Sequence, residues 1–133
     1  MSQTRSDIRQ SVREALEAGL ADVKWVKAHW RKITDAALPA GSVGTPRTRE
    51  QRLDLVTSQA TIDVVVILKF TGGEDIEDQS DVYASQIKPV VLTALAAHSK
   101  NYSLAETQFD AENAESDVGI LTMLFEVEPI EPI

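Results

Sequence analysis

The chain predicts an α+β domain: an antiparallel or mixed sheet of about four to five strands with two helices packed on one face. Three observations carry that expectation. Ala60–Phe70, ATIDVVVILKF, puts Ile62, Val64, Val66, Leu68 and Phe70 on one face and Asp63, Val65, Ile67 and Lys69 on the other. Consecutive β-branched residues are stiff at χ1 and suit a pleated surface, so this stretch reads as a central strand whose second face is covered part of the way. Val118–Val127, VGILTMLFEV, alternates in the same manner. Two further stretches, one near the start and one after the central strand, carry apolar residues at helical spacing.

In chain order, Thr4 or Ser6 can cap the first helix, with Asp7 favourable in its opening turn. Ile8, Val12, Ala15, Leu16 and Gly19 then form a narrow stripe suited to a sheet, and Gly19 is the expected stop. Asp22–Thr34, DVKWVKAHWRKIT, fits either period; Trp25, Trp30 and the preceding stop favour a strand. Its basic residues between tryptophans suggest single-stranded nucleic acid, but four Lys/Arg on a chain of net charge −8 are a weak footprint. Asp35–Pro46 holds two Pro and two Gly and reads as a loop, with at most a short edge strand at Ala40–Val43. Arg47–Arg52, RTREQR, has nothing to bury and reads as a polar arm, and the central strand can begin as early as Leu53.

Thr71–Asp81 breaks the strand at Gly72-Gly73 and carries five acids. Their spacing does not match a calcium-binding loop, so a solvated loop is expected, with Asp78 or Ser80 as the cap of the helix that follows. Gln79–His98 is a helix with Val82, Tyr83, Ile87, Val90, Val91, Ala94 and Leu95 on its packed side, kinked or split at Pro89. His98 sits where a cation favours a helix C-terminus. A short strand near Ser103–Phe109, an acidic turn at Asp110–Asp117 and the closing strand follow; its partner is the central strand or the Ser103–Phe109 piece. Residues 1–5 and 129–133 read as flexible tails of a single domain spanning 1–133.

With 133 residues the chain can build a core without staples, and with no cysteine it has no disulfide or Cys-type metal site. It shows no apolar run long enough for a membrane span and no signal-peptide h-region, so a soluble protein made in the cytoplasm is expected. No phosphate-binding, nucleophile-elbow or zinc motif occurs, and the two histidines are far apart. Neither an enzyme nor a cofactor is therefore expected. Charge is divided unevenly: residues 1–52 hold ten Lys/Arg against six Asp/Glu, while residues 53–133 hold three against fifteen. Such a split suits complementary surfaces, including head-to-tail self-association.

Several stretches taken together resemble the tail terminator proteins of long-tailed bacteriophages, the minor tail protein U family of lambda-like phages. They are the helix IRQSVREALEAGL, the Leu38-Pro39 step followed by a polar arm and the long strand, the helix DVYASQIKPVV, and the acidic turn into VGILTMLFEVE. Order, spacing and total length carry the resemblance, which runs from about Ser6 to Glu128. It implies a structural virion protein of the tail and neck, assembled in the bacterial host cytoplasm. Such a protein forms a ring, expected to be a hexamer, that caps the tail tube, ends its polymerisation and meets the head connector. Tail tube protein and connector protein are then its partners, and DNA passes through the ring without sequence-specific binding. The alternatives are another neck or head-closure protein, or a small-molecule-binding regulatory domain of a bacterial cell. The expected assembly contacts are Arg47, Arg49 and Arg52 of the polar arm against an acidic patch of the adjacent subunit or of the tail tube, supplied by Glu74–Asp81, with Glu74, Asp75, Glu77 and Asp78, or by Glu112–Asp117.

Overall fold

A computed structural model describes residues 2–27, 38–52, 58–111 and 117–129. The order is α1 (Ser2–Gly19), β1 (Lys24–Val26), β2 (Ala40–Arg52), β3 (Ser58–Thr71), α2 (Ile76–Leu95), β4 (Ser99–Ala111) and β5 (Val118–Pro129). The five strands form one mixed sheet in the order β1-β2-β3-β5-β4. β1 runs parallel to β2, and every other neighbouring pair is antiparallel. This is the expected α+β architecture, with β3 at its centre.

The core lies between one face of the sheet and both helices. Ile62, Val64, Val66, Leu68 and Phe70 of β3 are fully buried, beside Leu121, Met123, Phe125 and Val127 of β5. The register sets Val64 against Phe125, Val66 against Met123 and Leu68 against Leu121. Ile8, Val12 and Leu16 of α1 and Ile87, Val91 and Leu95 of α2 close the cluster at helical spacing. Each fully buried side chain of this size is worth about 1.5–3 kcal/mol, which makes this two-layer contact the main source of stability.

Several local expectations are corrected. The loop and polar arm of 40–52 are a single strand: Ala40–Gly44 and Arg47–Arg52 both pair with β3, with a register shift between Gly44 and Arg47. Pro46, lacking an N–H, sits in that shift, where the ladder needs no donor from it. The strand near Ser103–Phe109 extends to thirteen residues and pairs along β5, with shifts at Ser99/Asn101 and Leu104/Glu106. Helix α2 is continuous through Pro89, starts at Ile76, and has Asp75 at its N-cap without a side-chain cap bond. Val82 is 55 % exposed rather than packed. Helix α1 already begins at Ser2, so residues counted as tail are helical.

In the ambiguous Asp22–Thr34 stretch, Lys24–Val26 is a strand, while Trp30 lies outside the described residues. So do Leu53–Thr57, the proposed start of the long strand. His98 lies three residues beyond α2, and its Nε2 is 2.8 Å from the Ser11 hydroxyl, tying the end of α2 to α1.

Candidate functional site

β2 and β3 position the first group of charges. Past the register shift, Arg47 stands opposite Asp63, and Asp63 stands opposite Glu126 on β5. All three share the sheet face away from the helices. Arg47 Nε donates to Asp63 Oδ2 at 2.9 Å, and Arg49 Nη2 donates to Asp63 Oδ1 at 2.8 Å. Arg49 also donates to Glu126. Asp63 is only 3 % exposed. A carboxylate so deprived of water needs charged donors, and the two arginines supply them. Glu126, then Asp63, raise the Arg49 pKa above its ordinary value, so this guanidinium stays cationic wherever the protein folds. The arm therefore contributes to its own fold, because its first two arginines serve a buried acid of the same chain.

Arg52 lies at the far end of β2, opposite Ser58, and its side chain is outside the described set. Glu74 and Asp75 occupy the turn after β3, and Glu77 and Asp78 the first turn of α2, where their charge favours the helix dipole. β3 runs from the arginine end to the acidic end. Eight residue steps from Asp63 to Thr71 span on the order of 25 Å. Within one chain the expected basic and acidic contacts thus lie at opposite ends of a strand and do not meet. Glu112–Asp117, the other acidic stretch, is described only at Asp117, which is exposed.

A groove of about 890 Å³ opens beside the acidic end, between the end of α1, the turn after it and the first half of α2. Asp22, Asp78, Gln79, Gln86 and Tyr83 supply its polar lining, and Val82 its exposed apolar one. Among the described residues no group of three or more His, Cys, Asp or Glu is placed to hold a metal ion. No helix among them is long and apolar enough to cross a membrane.

Sequence reasoning missed Asp63 and Glu126. The signal for Asp63 was present: a lone acid inside a strongly apolar strand requires a cationic partner. Glu126 looked like the polar end of an alternating strand, and only the pairing of β5 with β3 brings it to Arg49.

No protein-family model and no curated protein matches the chain. Among solved structures, a chain of the virion of a native gene transfer agent particle is similar in fold. The match has a TM-score of 0.55 at 12 % sequence identity and covers 94 % of this chain and 92 % of that one.

Proposed function

We propose that this chain is a structural protein of a phage-like particle, and that it forms a ring capping the tail tube at the neck. The observation that carries the reading is a fold shared over nearly the full length of both chains with a component of a virion. The resemblance of the ordered elements to tail terminators narrows the role to ending tube polymerisation and presenting a face to the head connector. Ring formation joins two different patches of each subunit, and the uneven charge of the chain supplies two patches of opposite sign. In this reading Arg52 and its arm, with the acidic turn Glu74–Asp78, are contacts between copies or with the tube. The copy number is six, tail tube and connector proteins are its partners, and the ring conducts DNA without reading its sequence. No step of this role needs catalysis.

Mass in solution tests the proposal. Sedimentation and native mass spectrometry of the purified chain should give a ring of about six copies, or a monomer–ring equilibrium that shifts with concentration. Negative-stain images should show an annulus that binds the ends of tail tubes. A chain that stays monomeric at high concentration contradicts the reading. The groove beside α2 gives the second reading, a small-molecule-binding regulatory domain, its specific support. That alternative predicts a monomer or dimer whose melting temperature rises with a bound metabolite.

A further inference from the structure

The sheet is electrically graded from edge to edge. β1 and β2 carry Lys24, Arg47, Arg49 and Arg52 against Glu50, a net of +3. β3 carries Asp63 and Lys69 and is neutral. β5 and β4 carry Lys100 against Glu106, Asp110, Glu126 and Glu128, a net of −3. The division seen along the sequence is therefore also a division across the sheet.

The two outermost strands match in detail. One row of the sheet runs Lys24–Ala40–Lys69–Ile120–Asp110, so a cation and an acid stand at its two ends on one face. Lys24 and Asp110 are both exposed. The next row runs Trp25–Gly41–Leu68–Leu121–Phe109 and places an aromatic residue at each edge on the helix-covered face. The strand senses make β1 and β4 antiparallel to each other. Copies related by rotation about an axis near the strand direction keep those senses. Among the described residues no strand lies outside β1 or β4.

From this geometry we infer that β4 of one copy pairs antiparallel with β1 of the next, continuing the sheet from subunit to subunit with Lys24 opposite Asp110. The inference rests on the proposed ring and names the surface that closes it. Edge charges commonly serve to keep sheets apart, and a strand edge guarded that way repels its own kind. Here the two edges carry opposite signs on the same row, so copies attract edge to edge in one register and only head to tail. Trp25 and Phe109 come side by side in that register, an aromatic cross-strand pair of the kind that stabilises antiparallel strands. Backbone bonds are few because β1 has three residues, so side-chain pairs carry much of the contact.

The absence of native cysteine makes the test clean. Directly opposed antiparallel residues have Cβ atoms about 4.5–5.5 Å apart, close to the separation a disulfide spans. The variant carrying both Lys24→Cys and Asp110→Cys is assembled, oxidised with diamide and run on a non-reducing gel. The expected result is a ladder ending at the copy number of the ring. A mixture of the two single variants should stop at dimers. Asp110→Lys should weaken assembly about two- to fivefold at low salt, and adding Lys24→Asp should restore it. Rings that form without a ladder overturn the edge pairing and leave the proposed ring standing. A double variant and a wild type that both remain monomeric overturn the ring and the pairing together.

Discussion

Asp63 illustrates how burial makes an ion pair asymmetric. Its side chain is 5 % exposed, whereas those of Arg47 and Arg49 are 62 % and 43 % exposed. Removing the acid leaves two guanidinium groups that water can solvate. Removing both cations leaves the carboxylate without its charged donors and beside the like charge of Glu126. The double variant Arg47→Ala/Arg49→Ala should therefore melt at a lower temperature than Asp63→Ala, in parallel calorimetric scans. Equal melting temperatures would show that Asp63 is solvated after all. Val66 makes the simpler case. It is 1 % exposed at the centre of the core. Val66→Asp should cost upward of about 4 kcal/mol and unfold the domain. A folded Val66→Asp protein with an unchanged urea midpoint would remove β3 from the centre of the structure.

At the scale of elements, β1 depends on a glycine of its neighbour. A Cβ built on Gly41 sits 2.8 Å from Trp25 Cε3 and closer still to Cζ3, with Ile67 O at 3.0 Å. Trp25 lies over that gap and donates its indole N–H to the Leu20 carbonyl at 3.3 Å. Gly41→Ala in a Trp30→Phe background should displace Trp25, shift its fluorescence to the red and lower the melting temperature. Unchanged emission would mean that β1 does not need the space. Helix α2 offers the opposite sign. Pro89 is exposed within it and leaves the carbonyl one turn earlier without its usual donor. Pro89→Ala should stabilise the chain by about 1–3 kcal/mol in denaturant titration, provided the helix keeps its course. A loss of stability would show that the core is fitted to the bend that proline imposes.

For the whole molecule, what matters is charge of opposite sign on opposite sides. Exposed pairs are individually worth about 0–1 kcal/mol, so an assembly resting on several of them must be sensitive to salt. If the proposed ring forms, its midpoint concentration should rise steadily between about 0.05 and 0.5 M NaCl. Sedimentation velocity across that range checks it, and an assembly indifferent to salt would assign the contact to apolar surface instead. Reversing Arg47, Arg49 and Arg52 together is a poor probe of assembly, because the first two hold Asp63 within the fold. The edge pair Lys24 and Asp110 can be changed without touching a buried group.

The sequence alone determined the elements whose physics is local. Alternation marked β3 and β5 because a strand between a core and a second face must switch polarity at every residue. The stripe of Ile8, Val12 and Leu16 marked α1, and the spacing of Ile87, Val91 and Leu95 marked α2, because a helix returns to one face every three or four residues. Only the tertiary structure decided β2 and the full length of β4. Ala40–Arg52 is rich in Gly, Pro and charge and has almost no apolar pattern, yet β3 offers it backbone partners on both sides of the shift between Gly44 and Arg47. Backbone hydrogen bonding needs no particular side chain, so a neighbour of strong pattern can draw a segment of weak pattern into a sheet. The charged positions followed the same division. Composition revealed that the two parts of the chain differ in sign. Which arginine meets Asp63, and which lysine shares a row with Asp110, depended on strand order and register, set by contacts between residues far apart in the chain.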